Sequence, residues 1–175
     1  MAERALITNG RLETNNWTIL TEDEAATLSP NGIARGSLIP LSTWEKSRQE
    51  LTDDFFEHCG IWIDSHESPL DIGAGLERLQ TIAINFPLMK DGRGYSHARI
   101  LRDRLKFRGE IRAIGYVTVD LMDYMRRCGF DGFLLNPDQD PEVALRNRVT
   151  FSESYQANAV SPPVFERRDA GQVAP

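Results

Sequence analysis

Along the chain, short β-branched or continuous apolar runs alternate with stretches in which apolar residues return every third or fourth position. The first pattern marks strands and the second amphipathic helices. Ala5-Leu6-Ile7-Thr8 and Trp17-Thr18-Ile19-Leu20 are the earliest runs, with Asn9-Gly10, a good turn pair, between them. They predict an N-terminal β-hairpin, followed by an acidic loop from Thr21 to Asn31. Ser37-Leu38-Ile39-Pro40-Leu41 reads as a short strand. Ser42-Thr43-Trp44-Glu45 has capping-box spacing and predicts a helix to about His58, with Trp44, Leu51 and Phe55 inward and Gly60 beyond its end.

From Ile61 onward the alternation is regular. Ile61-Trp62-Ile63 is a predicted strand, and Ser68-Pro69-Leu70-Asp71 opens a helix with Ile72, Leu76 and Leu79 inward. Thr81 to Phe86 is a nearly unbroken apolar run, as expected of a strand covered on both faces. A helix from about Tyr95 to Lys106, a strand from Glu110 to Ile114 and a helix from Val119 to Cys128 follow, the last closed by Gly129 with Phe130 folding back on Met125. Asp131 to Leu135 is the final strand, and Asp140-Pro141 starts a helix to about Arg148. The expectation is an α/β fold: a mostly parallel sheet of βαβ units, either an open sheet or a partial barrel, with an N-terminal β-hairpin. The chain divides into a hairpin with acidic loop (1–36), an α/β domain (37–156) and a tail (157–175) whose composition predicts disorder.

Composition is ordinary for a globular protein, at 41% hydrophobic and 26% charged over 175 residues. No apolar run reaches the roughly 18 residues of a membrane span, and the first residues lack the apolar centre of a signal peptide. A cytoplasmic location is expected, without membrane contact. Cys59 and Cys128 are far apart and part of no CxxC or cysteine–histidine ladder, so no metal site and no cofactor held by this chain alone is expected.

Charge changes the picture more. The net charge of −6 argues against nucleic-acid binding. Yet the window from Lys90 to Arg112 holds eight Lys/Arg against three acids, leaving it +5 and the rest of the chain −11. A basic stretch on an acidic protein points to a local anionic ligand or an acidic partner surface, with a solvated helix face as the plain alternative. Two site expectations follow. Asp91, Gly92, Arg93, Gly94, Tyr95 and Ser96 lie between a strand and a helix, where glycine-rich backbone, a helix N-terminus and a guanidinium could cradle a small oxyanion. Helix-end and guanidinium contributions sum to about −4 kcal/mol, roughly millimolar affinity, so a larger ligand or a partner has to complete the site. Arg99, Arg102, Arg104 and Arg108 are the candidate partner-docking residues. Neither a dinucleotide fingerprint nor a P-loop is present. No nucleophile–base pair stands out, so the catalytic residues are unknown. Asp64-Ser65-His66-Glu67 reads as an exposed loop.

Ile84-Asn85-Phe86-Pro87 with Asp91-Gly92-Arg93-Gly94-Tyr95-Ser96, then Gly109 to Gly115, then Arg126-Arg127-Cys128-Gly129-Phe130-Asp131, resembles a bacterial family of uncharacterised proteins. Its members are described as oxidoreductases involved in sulfite reduction and are encoded beside the sulfite reductase haemoprotein. The resemblance runs from about Ala5 to Tyr155 and departs from the family pattern at Met89-Lys90, Tyr116 and Val119-Asp120-Leu121. It implies a role in assimilatory sulfite reduction with that haemoprotein as partner, and supplies no catalytic residues. Sulfite reduction moves six electrons and needs a cofactor able to carry them. With two isolated cysteines and no nucleotide fingerprint, the expected role is accessory: a small subunit, an assembly factor or an electron-transfer adaptor. The alternative is a small enzyme or binding protein for an oxyanion or phosphorylated metabolite.

Overall fold

In the computed structural model, residues 4–146 are described. The predicted disordered tail, and the end of the α/β domain and of its last helix, lie outside them. Eight strands form one sheet: β1 (Leu6–Thr8), β2 (Arg11–Glu13), β3 (Thr18–Ile19), β4 (Ser37–Pro40), β5 (Gly60–Ile63), β6 (Thr81–Phe86), β7 (Glu110–Gly115) and β8 (Gly132–Leu134). The helices are α1 (Glu22–Thr27), α2 (Leu41–Ser47), α3 (Asp53–His58), α4 (Arg93–Arg99), α5 (Met122–Cys128) and α6 (Pro141–Arg146).

The strand order is β2-β1-β8-β7-β6-β5-β4-β3. From β3 to β8 every pair is parallel and the order follows the sequence, while β1 runs antiparallel to both β2 and β8. An order that never reverses, with right-handed crossovers, keeps the helices on one side. The sheet curls into a half-barrel, which decides between the two architectures the sequence left open.

Strand side chains alternate accordingly. Ile39, Ile61, Ile63, Ile82, Ile84, Ile111, Ala113 and Phe133 pack with Trp44, Phe55, Ala98, Leu101 and Met125 of the helices in the main core. The opposite face carries Leu6, Leu38, Ala83, Ile114 and Leu134 in a second cluster, flanked by Trp17, Ile19 and Trp62. Both faces of β6 are therefore buried, as its unbroken apolar run requires.

Several local expectations are corrected. Asn9 and Gly10 take φ of 51° and 74°, the two left-handed residues of a tight hairpin turn. That geometry pairs Thr8 with Arg11, so the hairpin partner is β2 and not residues 17–20. The latter become β3 at the far edge, beside β4. The N-terminal segment thus supplies both ends of one sheet. The supposed acidic loop contains α1, capped by Thr21: its hydroxyl accepts from Glu24 N (3.3 Å) while the Glu24 carboxylate accepts from Thr21 N (2.8 Å). Conversely, the helix expected from Ser42 to His58 is two helices, α2 starting without a side-chain cap. The helix expected after Ser68 is two 3-10 turns, Pro69–Ile72 and Leu76–Arg78. Gly73 (φ 63°) and Gly75 (φ 95°) stop any longer helix there.

Candidate functional site

In a curled parallel sheet, loops at the carboxyl ends of the strands converge and carry most known active sites. Here that edge brings together the loops after β5 and β6. Asn85, near the end of β6, donates from Nδ2 to Asp64 Oδ1 (3.0 Å), which also accepts from Ser65 N (2.7 Å). Glu67 closes the same loop by accepting from Asp64 N (2.6 Å). His66 Nδ1 lies 3.3 Å from the second Asp64 oxygen. The sequence of Asp64-Ser65-His66-Glu67 reads as an exposed loop, but Ser65 is 3% exposed and central to the network. The signal that pointed to it was its place after a strand adjacent to β6.

Arg93 joins the two loops. Its Nε and Nη2 donate to Asp91 at 2.9 and 2.6 Å, and Nη2 also donates to Ser65 Oγ (3.0 Å). These bonds hold the Asp91 carboxyl well below the usual carboxylate range, through Arg93 first and Ser65 second, and raise Arg93 in turn. Burial pushes Glu67 up. One turn along α4 from Arg93, His97 is 9% exposed and its Nδ1 is buried with no hydrogen-bond partner among the described residues. Burial, then Arg93, pushes its pKa down.

The predicted anion-binding residues are thus contiguous but do different work. Asp91 and Arg93 satisfy one another. Gly94 is a packing glycine: a Cβ there would lie 2.6 Å from the Phe86 ring. Gly92 caps α4 at negative φ (−84°), and a Cβ there would meet Tyr95 Cδ2 at 3.7 Å, an ordinary contact. Tyr95 packs between Phe86 (5.1 Å, tilted) and Tyr124 (4.8 Å, edge to face), and Ser96 is exposed. With Asp64, Glu67 and Asp91 against Arg93, the edge has more acid than base. Before this edge projects the loop 87–90, where Leu88 and Met89 are 57% and 67% exposed, followed by exposed Lys90.

The candidate docking arginines separate as well. Arg99 pairs with Asp103 (2.8 Å). Arg102 is internal: it donates to the carbonyls of Gly129 (3.0 Å), Phe107 (2.8 Å) and Gly109 (2.8 Å) and pairs with Asp131. Its side chain is 17% exposed and its guanidinium is committed to these internal partners. Arg104 and Arg108 are exposed. Arg112, from the same basic stretch, is buried on the inner face of the sheet. Both cysteines are free and buried, and burial raises both thiols, which makes them poor nucleophiles.

Residues 60–165, from β5 past α6, match the family described as bacterial protein of unknown function, DUF934. The chain belongs to the DUF934 family. The matched span contains both loops of the carboxyl edge, the 87–90 projection and all four candidate docking arginines. Comparison with curated proteins gives no match. Among the described residues of this DUF934 protein, no helix is long and apolar enough to cross a membrane.

Proposed function

We propose that this DUF934 protein is an accessory protein of assimilatory sulfite reduction that acts by docking to the sulfite reductase haemoprotein. The partner and pathway come from the resemblance carried by the Asp91–Ser96 and Arg126–Asp131 blocks. The observation that carries docking is the pair of consecutive exposed apolar side chains, Leu88 and Met89, directly ahead of the first block. Isolated exposed apolar residues are commonplace. Two at one loop tip, with Lys90 and the half-exposed Arg93 behind them, have the composition of a contact surface: apolar anchors with a basic rim.

Full burial of such a side chain contributes about 1.5–3 kcal/mol, so Met89→Asp should weaken a complex by roughly ten-fold or more. The test is co-elution of the full chain with the haemoprotein from the same genome on a sizing column, at low and at moderate salt. A complex that weakens with salt and with Met89→Asp supports the reading. Absence of a complex at both salts overturns it and leaves the oxyanion or phosphorylated-metabolite reading at Asp91–Ser96. That second reading is favoured by the 59% exposure of the Arg93 side chain and opposed by its existing bonds to Asp91 and Ser65.

A further inference from the structure

The amino-terminal edge of the sheet, opposite the docking loop, holds a groove of about 400 Å3 between the 3-10 turn Leu76–Arg78 and the segment leaving α4. Leu76, Leu79, Leu105 and Phe107 supply apolar lining, and Lys106 and Arg108 supply charge. Phe107 is buried at 4% exposure, while the two cations that bracket it in sequence are exposed. Arg99, Arg102, Arg112, Arg126 and Arg127 all have carboxylate partners. Among the described residues, Lys106 and Arg108 have none.

The groove wall is built at some local cost. After α4 the chain widens into π-helix over Ile100–Arg104, and Leu105 N donates to Ile100 O (2.9 Å) and Phe107 N to Leu101 O (2.9 Å). Lys106 closes this end with φ of 56°, a position where glycine or asparagine is usual. A cation is therefore held where the backbone disfavours any bulky side chain.

We propose that this groove binds an acidic peptide segment of a partner protein, with an apolar side chain seated on Leu76 and Leu105 over the buried Leu79 and Phe107 and a carboxylate meeting Lys106 and Arg108. Charge complementarity selects the occupant. On a chain of net charge −6, two unpaired cations beside one lining acid, Glu77, favour negative charge. Leu79 and Phe107 are buried, but Leu76 and Leu105 keep part of their apolar surface open at the groove, which favours a segment that brings its own apolar anchor over a bare anion. The groove and the docking loop lie at opposite edges of the sheet, so this inference stands without the sulfite reductase reading.

The test is an NMR titration of the 15N-labelled full chain with the capped peptide Asp-Glu-Leu-Phe-Asp-Glu. The controls are the same peptide with every acid replaced by lysine, and phenylacetate alone. Saturable shifts at amides 76–80 and 105–109 with the acidic peptide, at least ten-fold weaker in Lys106→Gly and Arg108→Gln, are expected. Lys106→Gly relieves the positive φ, so its melting temperature should not fall and lost binding cannot be lost folding. Four results would each overturn the proposal: no shifts at roughly millimolar peptide, equal shifts with the lysine peptide, the same response to phenylacetate alone, or undiminished binding by both variants.

Discussion

Arg112 is 3% exposed and still carries a full charge on the inner face of the sheet. Its Nε and Nη2 each donate to Glu110 at 2.9 Å, and its guanidinium carbon lies 4.6 Å from the Trp17 ring centre. Arg112 pairs in register with Gly132, which pairs with Thr8 on its other side. A Cβ at Gly132 would collide with Glu110 Oε1, so the glycine leaves room for the ion pair. Removing one partner of a buried pair costs about 3–5 kcal/mol, because the other charge stays buried and uncompensated. Glu110 is itself 21% exposed, which lowers the expectation to about 2–3 kcal/mol for Glu110→Gln. Urea unfolding measures this, and a change below about 0.5 kcal/mol would mean that water replaces the carboxylate.

At the scale of elements, Arg102 joins the π-helix end of α4 to the start of β7 and to the α5–β8 connection. Asp131, which it pairs with, also accepts from Ile111 N (2.9 Å). Burial raises the Asp131 pKa, with Ile111 and Arg102 opposing. Arg102→Ala should destabilise by about 2–4 kcal/mol, since it strands three carbonyls and a half-buried carboxylate. A denaturation midpoint close to wild type would show that the arginine is dispensable there. Docking experiments should therefore leave Arg102 intact. Much of the Arg126–Asp131 block proves structural in the same way. Arg126 and Arg127 face the buried Asp123, Gly129 takes φ of 111° at the helix end, and Phe130 fills the core. In Asp91–Ser96, Gly94 and the Asp91–Arg93 pair shape the turn. Leu88, Met89, Ser96 and the open side of Arg93 remain free for recognition.

At the scale of the whole sheet, the unreversed order from β3 to β8 leaves, among the described residues, no switch-point crevice of the kind that doubly wound sheets offer. The two candidate surfaces lie instead on the two edges of a half-barrel. The carboxyl edge also links stability to pH. His97 titrates below its unfolded value of about 6.5, held down by burial and by Arg93, with Asp91 opposing. The unfolded chain therefore binds the extra proton first, and stability drops as pH falls through the unfolded value toward the folded one. His97→Gln should flatten that part of the stability curve between neutrality and mild acid, followed by thermal or urea unfolding. An unchanged slope would assign it to other groups. Asp91 acts in the same direction lower down: its depressed pKa makes its contribution complete above its unfolded value and lost as pH falls below it.

The sequence by itself determined the α/β class, the strands β5 to β8, the hairpin turn at Asn9-Gly10 and the end of α5 at Gly129. These rest on local physics: apolar runs, positive φ at glycine and asparagine, and capping geometry. It also located the basic stretch from Lys90 to Arg112, because charge is visible in composition. Only the tertiary structure decided what each of those cations does. Arg102 and Arg112 turned inward to carbonyls and carboxylates far along the chain, Arg93 closed on Asp91 and Ser65, and Lys106 and Arg108 stayed free beside an apolar groove. Residue type fixes a charge, but its partner depends on strand register and on which loops share an edge. Those follow from long-range burial, to which no single stretch of sequence has access.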